Sequence, residues 1–145
     1  MTENPAILLG IDAGTKRIGV AKSDGLGVMA HFLPAIPGED QDRAVRQIIE
    51  LAREENVSKI IVGLPRNMNG SLGPSAAFVK KFGEKLAGES GIPVEYWDER
   101  LSTRQAERIL IEEGDVSRKK RKTKIDSLAA QIILQSYLDA KKFQQ

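Results

Sequence analysis

The apolar residues before residue 40 fall into three short runs, and helical spacing begins only after them. A four-residue turn containing Gly14 separates the first two runs, so a β-hairpin is expected there. Pro34 lies in the third run. Because proline cannot donate a backbone hydrogen bond, that strand should end near Pro34 or lie at a sheet edge. The three predicted strands are Ala6–Asp12, Arg17–Ser23 and Val28–Ile36.

The rest of the chain alternates between helical and strand patterns. Pro74 and Gly91 bound one predicted helix, and Ser102 with Gln105 forms a capping box that opens another. The predicted order is helix 40–56, strand 58–65, loop 66–73, helix 74–90, strand 92–99, helix 102–113, a basic loop and helix 124–142. This order predicts an α/β fold with a mixed five-stranded sheet, three antiparallel strands then two parallel, and helices on both faces.

Length and composition predict one domain over residues 1–145, because a chain of 145 residues can bury one core and leaves little for a second. No cysteine is present, which excludes disulfides and cysteine-ligated zinc. No apolar run resembles a signal peptide or approaches the ~18 residues of a membrane span. The expected location is therefore the cytoplasm, with no membrane partner.

The stretch GIDAGTKRIGVAKSD, which begins at Gly10, allows two kinds of active site. Asp-x-Gly-Thr occurs in the phosphate-binding hairpin of sugar kinases, actin and heat-shock chaperones, and an acid on the first strand is also a metal ligand in nucleases. The ATP-binding proteins need a second lobe with a second hairpin. A chain of 145 residues has no room for that lobe, which favours the nuclease.

Three acids lie at the element ends where a nuclease would need them. Asp12 ends the first strand, Glu99 ends the last strand, and Asp126 lies in the first turn of the final helix. Asp98 should point to the opposite face of its strand, so Glu99 is preferred over it. Each acid alone has an ordinary explanation as a turn, salt-bridge or capping residue. Together they predict a site for two divalent cations that hydrolyses phosphodiesters, with Mg²⁺ or Mn²⁺ as cofactor.

The sequence resembles the YqgF family, also called RuvX, whose ribonuclease H-like fold is related to the RuvC Holliday-junction resolvases. Four blocks carry the resemblance in order over about residues 6–140: GIDAGTKRIGVAKSD, VGLPRNMNGS, DERLST and KIDSLAAQIILQSYL. The resemblance implies a nuclease that matures the 5′ end of the small-subunit ribosomal RNA precursor, and it places the acidic site on Asp12, Glu99 and Asp126. Members of the family often carry Asp at the position of Asn69. This difference does not affect the three acids.

Basic residues are the candidates for substrate binding, since cations that neutralise phosphates supply much of the affinity for nucleic acid. The net charge of +2 is too small to argue for such a partner, but six of the seven residues in RKKRKTK, positions 118–124, are basic. His31, the only histidine, is expected to be structural. The candidates are Asn69 and the basic residues Lys16, Arg17, Arg66, Arg100, Arg118, Lys119, Lys120, Arg121, Lys122 and Lys124.

The sequence leaves several functions open. RNA ranks above branched DNA on the resemblance alone, and ribosomal precursor particles are a possible partner. A Holliday-junction resolvase would be expected to act as a dimer, whereas an RNA-processing nuclease could be a monomer. A nucleic-acid-binding module without catalysis and a structural partner in ribosome assembly are also compatible with the sequence.

Overall fold

The computed structural model describes residues 7–66, 69–112 and 118–142, with the backbone alone at 103, 110–112 and 118–126. Its strands and helices follow the predicted order. The strands are β1 Ile7–Ala13, β2 Arg17–Ser23, β3 Ala30–Pro37, β4 Val57–Leu64 and β5 Val94–Asp98. The helices are α1 Gln41–Glu54, α2 Pro74–Ser90, α3 Thr103–Glu112 and α4 Arg118–Lys142, and a short 3-10 helix covers Glu99–Ser102. None of the described helices combines the length and apolarity that a membrane span requires.

The five strands form one sheet in the order β3-β2-β1-β4-β5. β1 pairs with β2, and β2 with β3, in antiparallel fashion, while β4 runs parallel to both β1 and β5. The predicted mixed sheet is therefore confirmed. Pro34 lies within the edge strand β3, at the point where the register with β2 shifts between Ile18 and Val20, so the interrupted ladder accommodates its missing backbone donor.

Each face of the sheet is covered by helices. On one face, α1 and α2 bury a core that includes Ile11, Val62 and Phe82. On the other face, α4 packs Ile133 and Leu134 against residues that include Ala21 and Ile61. Burying each of these large side chains contributes roughly 1.5–3 kcal/mol, so both layers hold the sheet rigidly.

Helices α1 and α2 begin and end close to where the sequence predicts. Asp40 caps α1, and one of its carboxylate oxygens accepts a hydrogen bond from the Arg43 backbone N–H at 3.2 Å. Pro74 begins α2. Gly91 ends it with φ of 71°, in the left-handed region that glycine adopts without strain.

Three local predictions were wrong. Ser102 does not form a capping box with Gln105, because the Ser102 hydroxyl donates to the Glu99 carbonyl and the Gln105 amide donates to Asp139. The residues just before α3 form the 3-10 helix, which ends β5 at Asp98 and leaves Glu99 outside the strand. The basic run 118–124 is not a loop, since α4 already begins at Arg118.

Candidate active site

The carboxyl ends of β1, β4 and β5 meet at one edge of the sheet. In the strand register, Ile11 pairs with Val62, and Leu64 pairs with Asp98. Asp12 follows Ile11 in β1, and Glu99 is the first residue after β5. The parallel topology thus brings two acids to the same edge although they are far apart in sequence.

Asp12 and Glu99 line a common cavity of about 510 Å³. Gly14, Thr15 and Pro65 line it from the sheet edge. The first turns of α2 contribute the remaining wall through Pro74, Ser75, Phe78 and Val79. The cavity is therefore an open cleft of the size that small groups enter, with carboxylates on one side and apolar side chains on the other.

Both carboxyl groups are harder to ionise than in water. Burial raises the pKa of Asp12. The pKa of Glu99 is raised by burial and further by the negative charges of Asp12 and Asp98. Among the described residues, no lysine or arginine forms an ion pair with either acid. Two neighbouring, partly buried carboxylates that lack a positively charged protein partner favour the binding of an external cation. Such a cation offsets both the cost of burying the two charges and their mutual repulsion.

Asp98 belongs to a different set of contacts. Its carboxylate accepts hydrogen bonds from Arg100 Nε and Nη2, the latter at 2.7 Å, and lies 3.6 Å from Arg66 Nε. The Arg100 hydrogen bond is the main reason that the pKa of Asp98 is lowered. Glu99 rather than Asp98 is therefore the acid that shares the cavity with Asp12.

Asp126 can be located by its backbone alone. It lies in α4 directly before Ser127, and its side chain is outside the described residues. The Ser127 hydroxyl accepts a hydrogen bond from the Val20 backbone N–H at 3.2 Å, and Val20 pairs with Ile11 across β1 and β2. This part of α4 thus passes close to the end of β1. The described side chains alone form no group of three metal-ligating residues.

The structure separates the predicted substrate-binding residues. Arg66 and Arg100 converge on Asp98, and Arg66 also donates to the Gly70 carbonyl at 3.1 Å. The side-chain oxygen of Asn69 accepts hydrogen bonds from the backbone N–H and the hydroxyl of Ser71. These bonds hold the Asn69 side chain within its own turn. Lys16 and Arg17 line a different cavity, beside the end of β3. Of Arg118, Lys119, Lys120, Arg121, Lys122 and Lys124 the structure describes the helical backbone alone. His31 is exposed in β3, away from the acids.

Gly63 is a site residue that the sequence analysis missed. A Cβ atom at this position would lie 3.0 Å from Glu99 Oε1 and 2.4 Å from Ile133 Cδ1. Glycine therefore leaves space for the Glu99 carboxylate and for the packing of α4. A glycine inside an otherwise apolar strand often marks a close approach of this kind, so the signal was present in the sequence.

Comparison with known proteins identifies the family. The family model RuvX, described as "Holliday junction resolvase", matches residues 6–140. The chain belongs to the RuvX family. A protein of Symbiobacterium thermophilum named "Putative pre-16S rRNA nuclease" is 52% identical over 132 residues, which cover 91% of each chain. A protein of the same name from Caldanaerobacter subterraneus is 53% identical, covering 93% of this chain and 97% of its own.

Two solved structures that resemble this RuvX chain are Holliday-junction resolvases. Thermus thermophilus RuvC in complex with a Holliday junction superposes with a TM-score of 0.64 at 17% identity, over 95% of this chain and 96% of that one. The Fowlpox virus resolvase bound to junction DNA superposes with a TM-score of 0.56 at 12% identity, over 93% of this chain and 98% of that one. At these identities the likeness concerns the fold, and it confirms the predicted ribonuclease H-like architecture.

Proposed function

We propose that this RuvX protein is a metal-dependent endonuclease whose substrate is the precursor of 16S ribosomal RNA. The observation that carries the proposal is the pairing of Asp12 and Glu99 in one cleft, with raised pKa values and no ion-pair partner among the described residues. Such a pair is costly to a folded protein unless it serves to bind a cation.

Asp12 and Glu99 fit a divalent cation because both offer carboxylate oxygens, the ligands that Mg²⁺ and Mn²⁺ prefer. Asp126 is the proposed third ligand, and two ions are expected. When bound, such ions lower the pKa of a coordinated water and neutralise charge on the leaving oxygen. Hydrolysis adds one water across the phosphodiester bond and leaves a 5′-phosphate and a 3′-hydroxyl.

The protein's own residues would bind and orient the substrate around the acids. Arg66 and Arg100 are fixed by Asp98 at the end of β5, one residue before Glu99. Guanidinium groups held in place can bind phosphate oxygens with little loss of side-chain entropy. The basic residues at 118–124 precede Asp126 in α4, so phosphates beside the cleaved bond are their proposed ligands.

The choice of substrate rests on the relatives, whose name specifies pre-16S rRNA. We propose that residues 1–145 act as a single nuclease domain and that processing takes place in the cytoplasm, on precursor RNA free or within ribosomal precursor particles. A monomer suffices for this activity, since one cut in one strand needs one site.

A second candidate is resolution of branched DNA. It is favoured by the description of the matching family and by the likeness to junction-bound resolvases. This activity would require two sites related by symmetry, because two strands of a junction must be cut.

Cleavage of three labelled substrates tests the proposal: a precursor 16S 5′ leader, a four-way DNA junction and plain single-stranded RNA. Each is incubated with Mg²⁺, Mn²⁺ or EDTA. Asp12→Asn and Glu99→Gln should each reduce cleavage by ~100-fold or more, the usual loss when a group that stabilises transition-state charge is removed. Glu95→Gln is the matched control, because Glu95 lies in the same strand as Asp98 but pairs with Lys59.

Each outcome points to a different function. Metal-dependent cutting that Asp12→Asn abolishes supports the nuclease, and preference for the leader or the junction decides between processing and resolution. Binding without cutting in every metal would reject the enzyme in favour of a nucleic-acid-binding module. If Asp12→Asn still supports ribosome assembly in cells, the protein acts there as a structural partner.

A further inference from the structure

A cationic cavity lies between α3 and the C-terminal part of α4, apart from the cleft that holds the acids. Its volume is about 410 Å³, and it is lined by Arg104, Gln105, Arg108, Asp139 and Lys142. Three of these side chains are cationic and one is anionic. The lining therefore has a net positive charge, which suits an anionic ligand.

The single carboxylate of this cavity already has several partners. Asp139 Oδ2 accepts hydrogen bonds from Gln105 Nε2 at 2.9 Å and from Arg108 Nη2 at 3.4 Å. Its other oxygen, Oδ1, accepts from Gln135 Nε2 at 2.9 Å. Asp139 is therefore fixed by α3 and by its own helix, and it holds Arg108 in place at the cavity.

The cations remain open to solvent. The Arg108 side chain is 51% exposed, and an ion pair this exposed contributes little stability of its own. Across the described ranges, no carboxylate forms an ion pair with Arg104 or Lys142. Most of the hydrogen-bonding capacity of the three cations is thus available to a ligand.

The cavity is connected to the acidic site through the chain. Glu99 begins the 3-10 helix, and α3 follows it directly at Thr103. Arg104 and Arg108 are four residues apart in α3, so they share one face and lie ~6 Å apart along the helix axis. The two arginines therefore form a row on the helix that begins at the acidic site.

We propose that Arg104, Arg108 and Lys142 bind successive phosphates of the substrate strand on one side of the cleavage point. This inference rests on the proposed nuclease function and adds a contact surface to it. Guanidinium groups bind phosphate oxygens through paired hydrogen bonds, and no base is read, so the contact is independent of sequence. Its role is to raise affinity and to fix the direction of the strand relative to the acids.

The test compares two double variants that remove equal charge. Arg104→Gln with Arg108→Gln alters the proposed surface. Arg46→Gln with Arg53→Gln is the control, since these α1 residues line a cavity with the acids Asp42, Glu50 and Glu89. Binding of a labelled single-stranded RNA that extends past both sides of the cut is measured in EDTA by fluorescence anisotropy at several salt concentrations. Cleavage is measured separately in Mg²⁺.

The α3 pair should weaken binding roughly tenfold and lower the slope of log K against log salt by about 1.4, the value for two lost contacts on a single strand. The α1 pair should change neither quantity. Arg104→Lys with Arg108→Lys retains the charge and should retain the slope, which shows that loss of folding is not the cause.

Failure of the inference is distinguishable from failure of the proposed function. If the wild type cleaves RNA while the α3 and α1 pairs bind it equally well, the phosphate surface is rejected and the nuclease stands. If no metal supports cleavage but the α3 pair still binds more weakly than the α1 pair, the surface stands and the nuclease is rejected.

Discussion

The missing side chain at Gly63 leaves space for both a carboxylate and a helix. Glu99 Oε1 and Ile133 Cδ1 approach it from the same face of β4. The position of Glu99 thus depends on a residue that has no functional group of its own. Residues that orient a ligand in this way commonly affect metal affinity or activity by tenfold or more.

Gly63→Ala should reduce metal-dependent cleavage by about 10- to 100-fold and destabilise the fold by roughly 1–3 kcal/mol. The added methyl group would crowd Glu99 and overlap Ile133. Combining it with Ile133→Val removes Cδ1, the closest atom, so stability should recover while cleavage stays low. Thermal unfolding and cleavage rates check the two effects. Recovery of full activity in the double variant would show that Gly63 serves helix packing alone.

At the scale of elements, boundaries set by a single residue type were predicted well. Pro74 and Gly91 act through their own backbone conformations, and α2 has the bounds they indicate. Ser102 was different, because its hydroxyl can bond forwards or backwards, and the 3-10 helix provides the Glu99 carbonyl as an acceptor. Local sequence cannot decide between such partners when the choice depends on how the chain leaves a strand.

Helix α4 completes the hydrogen bonding of the antiparallel edge of the sheet. Gln135 is 2% exposed. Its side chain accepts from the Ala30 backbone N–H at 2.9 Å and donates to the Val28 carbonyl at 2.9 Å. One long-range side chain thus holds the start of β3 against the helix.

Gln135→Leu should therefore lower the free energy of unfolding by about 1–3 kcal/mol, because a buried N–H group loses its acceptor. Hydrogen exchange at Ala30 should become faster than in the wild type. Gln131→Leu is the matched control: Gln131 donates to the Ala30 carbonyl at 3.2 Å, while its own oxygen has no partner, so its loss should cost less. Equal costs for the two variants would contradict this assignment.

At the scale of the whole molecule, the mixed sheet and the edge that carries Asp12 and Glu99 were predictable from the sequence. Both follow from the order of strands and from the alternation of side chains along them. The ion pairs of Arg66 and Arg100 with Asp98 were not predicted, since the arginines were assigned to the substrate and Asp98 was placed only by the alternation of side chains along its strand. Long flexible side chains take their partners from three-dimensional neighbours, which no local pattern specifies.

The acidic cleft also affects the stability of the whole molecule. Because burial raises the pKa of Asp12, the folded protein holds this proton more tightly than the unfolded chain does. The resulting stability is fully present below the ordinary carboxyl pKa and is lost as pH rises through the folded-state value. At neutral pH, without a bound cation, the Asp12 carboxylate therefore opposes folding.

Asp12→Asn should raise the free energy of unfolding by about 0.5–2 kcal/mol at neutral pH in EDTA, a Tm increase of roughly 1–8 °C. The gain should disappear in acid, where the wild-type carboxyl is protonated. Added Mg²⁺ should stabilise the wild type more than the variant. Thermal unfolding across pH checks this. Glu95→Gln, which only breaks an ion pair with Lys59, should give no such gain. A gain that persists in acid would refute the argument.

The position of β4 between β1 and β5 has a consequence for protein synthesis. Asp12 leaves the ribosome early, within the first hairpin, whereas Glu99 reaches the same edge only after β4 has joined the sheet and β5 has paired with it. A nascent chain that ends before β5 carries Asp12 but not Glu99. If Asp12 and Glu99 hold the metal as proposed, cleavage would begin only after β5 has been made, and the RNA around the translating ribosome would not meet an active nuclease before then.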